Sequence, residues 1–263
     1  YIAQVDTQLA VSYLRLWNTA SDPWVQTGSA CALYEFGKHW NDNMAAQSRT
    51  IAHMLSGKSA GGGIAWVGVL CRDAFNSNIT AANCSAGLTG TGNFGGAYGF
   101  SGSMSGTFNP SNPSATVWDI TVVAHEIGHN FNSPHTHCYG GIGGNSSPVD
   151  QCWASESGSA CYSGTPALPG PQGQGSGTIM SYCHQRPGGL SNVTLALGQG
   201  HPYGVAPERV PQRMRAHVQT SASNNPQCLA LGNVPAPSAP TATAATTVGS
   251  SGFTANWTSP ISA

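Results

Sequence analysis

The segment His125-Glu126-Ile127-Gly128-His129-Asn130-Phe131-Asn132-Ser133-Pro134-His135 constrains this chain more than any other part of it. Two histidines four residues apart share one face of a helix, so both rings can reach a single point. A third follows six residues later, with enough chain between to turn back. Three neutral imidazoles hold Zn²⁺ at roughly 2.0–2.1 Å and leave a fourth position open to water. Glu126, next to the first histidine, is placed to accept a proton from that water. His125, His129 and His135 are therefore the expected zinc ligands, and Glu126 the expected base.

The flanking residues predict a helix. Val117, Trp118, Ile120, Val122, Val123, Ala124, Ile127 and Phe131 recur at near-helical spacing. Asn132 tolerates the left-handed conformation that ends many helices, and Pro134 discourages a return to helix. His135 is thereby carried off the helix axis and back towards the metal.

These residues resemble the signature of the metzincin metallopeptidases, H-E-x-x-H-x-x-G-x-x-H followed by a Met-turn. Asn132 stands where that signature has Gly, a mild departure because Asn is the next best residue at positive φ. Thr178-Ile179-Met180-Ser181-Tyr182-Cys183 is the matching Met-turn. Within the metzincins the chain is most similar to the reprolysin (adamalysin-like) group, through Gly63–Cys71, Ile179-Met180 and Asn225–Leu229. The resemblance spans residues 1–230.

It implies a mixed α/β (α+β) catalytic domain of the zincin type. A twisted sheet and the active-site helix would lie above a smaller, loop-rich lower subdomain stapled by disulfides. It also implies that Met180 forms an apolar floor under the three rings. Gly63, Ile64, Ala65 and Trp66 would be the edge strand that takes a polypeptide substrate as an added, extended strand. The Met-Ser-Tyr order is similar to the Met-turn of serralysins and astacins, where the tyrosine approaches the metal. Tyr182 is therefore a candidate to bind zinc at rest or to steady the oxyanion. Residues 184–203 would line the pocket beyond the scissile bond. Calcium is compatible with the family, but no Asp-rich loop marks a site for it. Relative to that group the chain opens late, without the usual first strand and long helix, and is expected to be clipped.

Only 7% of residues are charged and the net charge is −1, which leaves no electrostatic footprint for nucleic acid or an anionic membrane. No apolar run is long enough to span a bilayer. Eight cysteines, with no C-x-x-C pair, fit an exported, disulfide-bearing protein rather than a Cys₄ zinc site. The resemblance implies Cys71–Cys228, with Cys138, Cys152, Cys161 and Cys183 pinning the loops below the metal. Cys31–Cys84 would complete that set, while Cys71–Cys84 with Cys31–Cys228 stays equally open. No signal peptide is visible and the first residue is Tyr1, so a processed form or a fragment is expected.

Along the chain, Thr7–Trp17 alternates and predicts a strand. Ala32–Met54 predicts a helix with Leu33, Phe36, Trp40, Met44, Ile51 and Met54 inward. Ile64–Leu70 is a short apolar run and predicts a strand. Asn76–Pro113 reads as loops with one hairpin around Tyr98–Met104. Residues 138–178 are loop-rich. Pro211–Ser221 predicts a last helix with Pro211 in its first turn and Val210, Met214 and Val218 inward. Residues 231–247 read as a Pro/Ala/Thr linker, and 248–263 resemble the opening of a fibronectin type III domain.

The expected function is that of a secreted, monomeric zinc endopeptidase. The alternative is a catalytically idle metzincin-like scaffold in an extracellular binding protein, against which the intact Glu126 speaks. A different zincin with a glutamate as third ligand would need a downstream Glu-x-x-x-Asp/Glu helix. Only Glu156 and Glu208 lie downstream, and neither has that context.

Overall fold

The computed structural model describes residues 1–17, 22–79, 84–85, 87–106 and 116–229, and the backbone of 241–249 and 252–258. Helix α1 (Ile2–Val5) is a single turn. Helix α2 (Ser29–Asn43) packs Leu33 and Phe36 onto the inner face of a three-stranded sheet. That sheet contains β1 (Ala52–Leu55), β2 (Gly63–Ala65) and β5 (Tyr98–Ser101), with β5 in the middle. β1 runs parallel to β5, from Ala52 opposite Tyr98 to Leu55 opposite Ser101. β2 runs antiparallel to β5, with Ile64 opposite Phe100, and forms the sheet's outer edge. β3 (Phe75–Asn78) and β4 (Thr91–Gly95) form a separate antiparallel pair.

Helix α3 (Trp118–Asn130) carries the first two histidines, and α4 (Arg209–Asn224) lies beneath. Between them sits the second core: Phe131, Tyr139, Ile179, Met180, Val210, Met214 and Val218, all buried. The architecture is the α+β arrangement expected, with a loop-rich lower part. The disulfides are Cys31–Cys84, Cys71–Cys228, Cys138–Cys161 and Cys152–Cys183. This settles the open choice in favour of Cys71–Cys228. That bond ties the loop after β2 to the segment after α4 and closes a span of 157 residues, the kind of long loop whose closure most restricts an unfolded chain.

Several sequence expectations require correction. Thr7–Trp17 forms no strand, and Val11 is 83% exposed. Alternation produces a strand only where a neighbour accepts the ladder. Here aromatic contacts substitute, with Tyr13 edge-on to Trp40 and Trp17 edge-on to Trp24. The helix predicted over Ala32–Met54 ends at Asn43, and Ala52–Leu55 is β1. Ile51 lies seven residues after Met44, a spacing that keeps one helical face, so periodicity alone did not reveal the break. The strand predicted over Ile64–Leu70 is only Gly63–Ala65. Gly68 turns the chain at φ 66°, and the Gly68 and Val69 amides bond the His129 and Asn130 carbonyls at the end of α3. Tyr98–Met104 is not a hairpin, because Tyr98–Ser101 is the central strand and Gly102 N–H bonds Gly62 O.

Pro211 lies in the first turn of α4, with Val210, Met214 and Val218 inward as expected. At the C-terminal end, β6 (Thr241–Gly249) and β7 (Gly252–Thr258) form an antiparallel hairpin. Residues 241–247, expected as linker, are therefore strand; their threonines suit extended backbone. A lone hairpin does not establish a fibronectin type III sandwich. Residues 231–240 and 259–263 lie outside the described residues.

Candidate active site

Helix α3 ends because Asn132 adopts φ 73°, the left-handed conformation its sequence position predicts. Arg213 on α4 fixes this turn, donating from Nε to the Asn132 carbonyl at 2.5 Å and from Nη2 to Asn132 Oδ1 at 3.0 Å. The chain then reverses and returns His135 to His125 and His129. One ligand nitrogen from each of the three lies within 4.8 Å of the others.

The outward nitrogens are all engaged. His125 Nδ1 bonds Ile179 O at 2.7 Å, and His129 Nδ1 bonds Ser133 O at 2.7 Å. A carbonyl only accepts, so each Nδ1 carries the hydrogen and each Nε2 presents a lone pair inward. His135 Nδ1 lies 2.6 Å from Glu156 Oε2. His129 Nε2 and His135 Nε2 are 3.2 Å apart. Two ligands of one tetrahedral ion with 2.0–2.1 Å bonds stand about 3.4 Å apart. Burial lowers the His125 pKa well below its usual value and that of His129 to about 3, which keeps both rings neutral. Donor chemistry, spacing and protonation all fit one zinc ion.

The floor of the site is the Thr178–Ser181 turn. Its Ile179 carbonyl orients His125, and its Met180 is fully buried. Met180 lies directly under α3: a β-carbon built at Gly128 would be 2.3 Å from Met180 Sδ. The glycine of the His-Glu-Ile-Gly-His run is thus required by the methionine beneath it. Met180 O accepts the Thr136 amide at 3.0 Å, binding the floor to the segment that carries His135.

Glu126 is buried, and its Oε2 has no hydrogen-bond partner among the described residues. Burial pushes its carboxyl pKa well above the ordinary range. A buried carboxyl oxygen left without a donor beside three convergent imidazole nitrogens is the arrangement a water shared with a metal would complete. The carboxylate also meets the edge strand, for a β-carbon at Gly63 would fall 2.4 Å from Glu126 Oε1. Ile64 and Ala65 continue β2. Trp66 lies just past it, its ring against Tyr34 and Phe75 and its carbonyl held by Asn130 Nδ2.

Tyr182 packs its ring 4.2 Å from His135 and stacks 6.0 Å from His125. Burial, together with the charges of Glu126 and Glu156, raises its hydroxyl to about 12, so it remains a donor. His184, at the start of the 184–203 stretch, adjoins Tyr182 and Trp118 at 5.7 and 6.1 Å and so belongs to this neighbourhood.

Sequence reasoning missed Glu156. The sequence presents Glu156 only as a downstream glutamate without the context of a third ligand, whereas its carboxylate meets the outer nitrogen of His135. The same Oε2 lies 2.9 Å from His137 Nε2. Burial works against its charge, yet the two imidazole contacts outweigh that and hold the carboxyl well below its usual range. Its one sequence signal was scarcity, as one of ten acidic residues in the chain. His137 is not one of the three convergent ligands. It is fully buried and stacked on His135 at 5.3 Å.

A family model, Reprolysin_5, described as metallo-peptidase family M12, matches residues 3–194. The chain belongs to the M12 metallopeptidases. No curated protein matches it. Membership in M12 accounts for the histidine triad as a zinc site and for the mixed fold around it. The matched span includes all three histidines, Glu126, Met180, Tyr182 and Glu156. Four disulfides, and no helix among the described residues long and apolar enough to cross a membrane, accompany that fold.

Proposed function

We propose that this M12 metallopeptidase is a secreted, reprolysin-type zinc endopeptidase that hydrolyses internal bonds of polypeptides. The observation that carries the reading is the meeting of three elements at one point. The histidine nitrogens converge, the Glu126 carboxyl is buried beside them, and Gly63 on the unpaired edge of β2 touches that carboxyl.

When bound, zinc supplies a Lewis acid that polarises the scissile carbonyl and acidifies water. Glu126 accepts the proton from the attacking water through Oε2 and delivers it to the departing amide nitrogen. Burial raises its pKa above the ordinary carboxyl range, which makes it a better proton acceptor than an exposed glutamate. The open edge of β2 holds the substrate by main-chain hydrogen bonds, which fixes its direction without reading side chains. Tyr182, protonated beside His135, donates its O–H to the developing oxyanion. The four disulfides support an oxidising, extracellular setting.

The experiment pairs the parent chain with Glu126→Gln, both oxidised and zinc-loaded, on an unfolded protein substrate. The expected result is internal cleavage by the parent, abolished by chelator, and a loss of about 10²–10⁴-fold in the variant at unchanged zinc content. A variant as fast as its parent would remove Glu126 from the chemistry and overturn the reading.

A further inference from the structure

We propose that Glu156 is a positioning residue of the metal centre: one carboxylate oxygen grips both His135 and His137 and holds His135 in the tautomer and orientation that a metal requires. The proposal rests on the zinc reading above, and it assigns a role to a residue outside the histidine signature.

The three ligand histidines are not supported alike. His125 and His129 stand on a helix and are fixed by backbone carbonyls, those of Ile179 and Ser133. His135 follows the helix, is less buried, and has no carbonyl at Nδ1; Glu156 Oε2 occupies that place at 2.6 Å. An ionised carboxylate only accepts, so His135 Nδ1 carries its hydrogen and Nε2 keeps the lone pair that faces His129 Nε2. A carboxylate in this role also raises the ligand's basicity, which a neutral carbonyl does less well.

Glu156 is itself constrained on each side. His137 Nε2 bonds the same oxygen at 2.9 Å, and its ring lies nearly parallel to that of His135, tilted by 10°. In sequence Glu156 sits between Cys152, bonded to Cys183 at the end of the Met-turn, and Cys161, bonded to Cys138 after His137. The loop that carries the carboxylate is thus covalently tied both to the floor of the site and to the segment holding the two imidazoles.

The group His135, His137 and Glu156 also has the spacing of a metal cluster. It does not serve as a second site while the first is filled. His135 would have to give both nitrogens to cations and lose its last proton, and neutral imidazole offers only one lone pair. The second cluster is therefore the support of the first.

The test measures zinc affinity by chelator competition, and the visible spectrum of the Co²⁺-substituted protein, for the full oxidised chain and for Glu156→Gln and Glu156→Ala. Far-ultraviolet circular dichroism and the thermal midpoint of the metal-free forms check the fold. Both variants are expected to bind zinc 10–100-fold more weakly with an altered Co²⁺ spectrum, at unchanged metal-free stability. If Glu156→Ala fails to fold, the nearly isosteric Glu156→Gln decides. Affinities within threefold of the parent and an unaltered Co²⁺ spectrum would overturn the role of Glu156 and leave the peptidase reading standing. A parent chain that binds no zinc would overturn both.

Discussion

Gly63 and Glu126 compete for one volume: a single added carbon on the edge strand would stand 2.4 Å from the Glu126 carboxylate oxygen. The strand and the Glu126 carboxyl are therefore set by each other. In Gly63→Ala the carboxylate must swing away while the three histidines, held at Nδ1 by Ile179 O, Ser133 O and Glu156 Oε2, stay in place. The expected result is at least a tenfold loss in kcat, about 1.4 kcal/mol in the barrier, with full zinc content. Steady-state kinetics together with metal analysis decide it, and an unchanged kcat would mean that the contact relaxes at no cost.

A second close approach predicts a stability effect. In Gly128→Ala the new methyl meets Met180 Sδ, with Met214 behind it, in a fully buried floor. Overpacking of this kind costs about 1–3 kcal/mol, and the better helix propensity of Ala returns about 1 kcal/mol. The net loss is expected to be up to about 2 kcal/mol, read as a lower urea midpoint. A midpoint at or above the parent's would show that Met180 has room to move.

Arg209 organises the lower subdomain with no salt-bridged carboxylate among the described residues. Its buried guanidinium donates to the carbonyls of Tyr139, Ile142, Ser147, Val205 and Ala206 at 2.8–3.1 Å. Arg209→Met keeps the length and removes every donor, leaving several buried acceptors unmet. A cost of about 3 kcal/mol is expected, and chemical denaturation of the zinc-loaded chain measures it. A change below about 1 kcal/mol would mean that water replaces the guanidinium.

His53 gives a pH dependence with a defined sign. It lies largely buried on β1, against Ser101 Oγ at 2.8 Å, and burial lowers its pKa to about 4. In the unfolded chain it titrates near 6.5. Above that value neither state binds the proton. Below it the unfolded state binds first, so stability falls as pH drops from about 6.5 to about 4. The loss at pH 5 is at most about 2 kcal/mol. His53→Gln should flatten this part of the profile, and parallel slopes for parent and variant would exclude His53 as its origin.

The features that could be read in the sequence are those in which chemistry imposes spacing. His125, His129 and His135 must approach one ion from a helix and a turn, so their separations carry the geometry. Asn132 betrays the left-handed turn because few other residues tolerate it. Val210, Met214 and Val218 mark α4 for the same kind of local reason. What could not be read depends on partners remote in sequence. Thr7–Trp17 has the alternation of a strand but meets no ladder. Ile51 and Met54 keep helical spacing with α2 and yet belong to β1 or its approach. Glu156 meets His135 only because two disulfides fold its loop back, and nothing in its neighbours along the chain records that.

Those two crosslinks impose an order of events. While Cys138, Cys152, Cys161 and Cys183 are still thiols, no covalent tie holds Glu156 against His135, and four free sulfurs stand ready to draw zinc elsewhere. On the proposed reading, oxidation of these four sulfurs therefore precedes completion of the zinc site in the life of the chain.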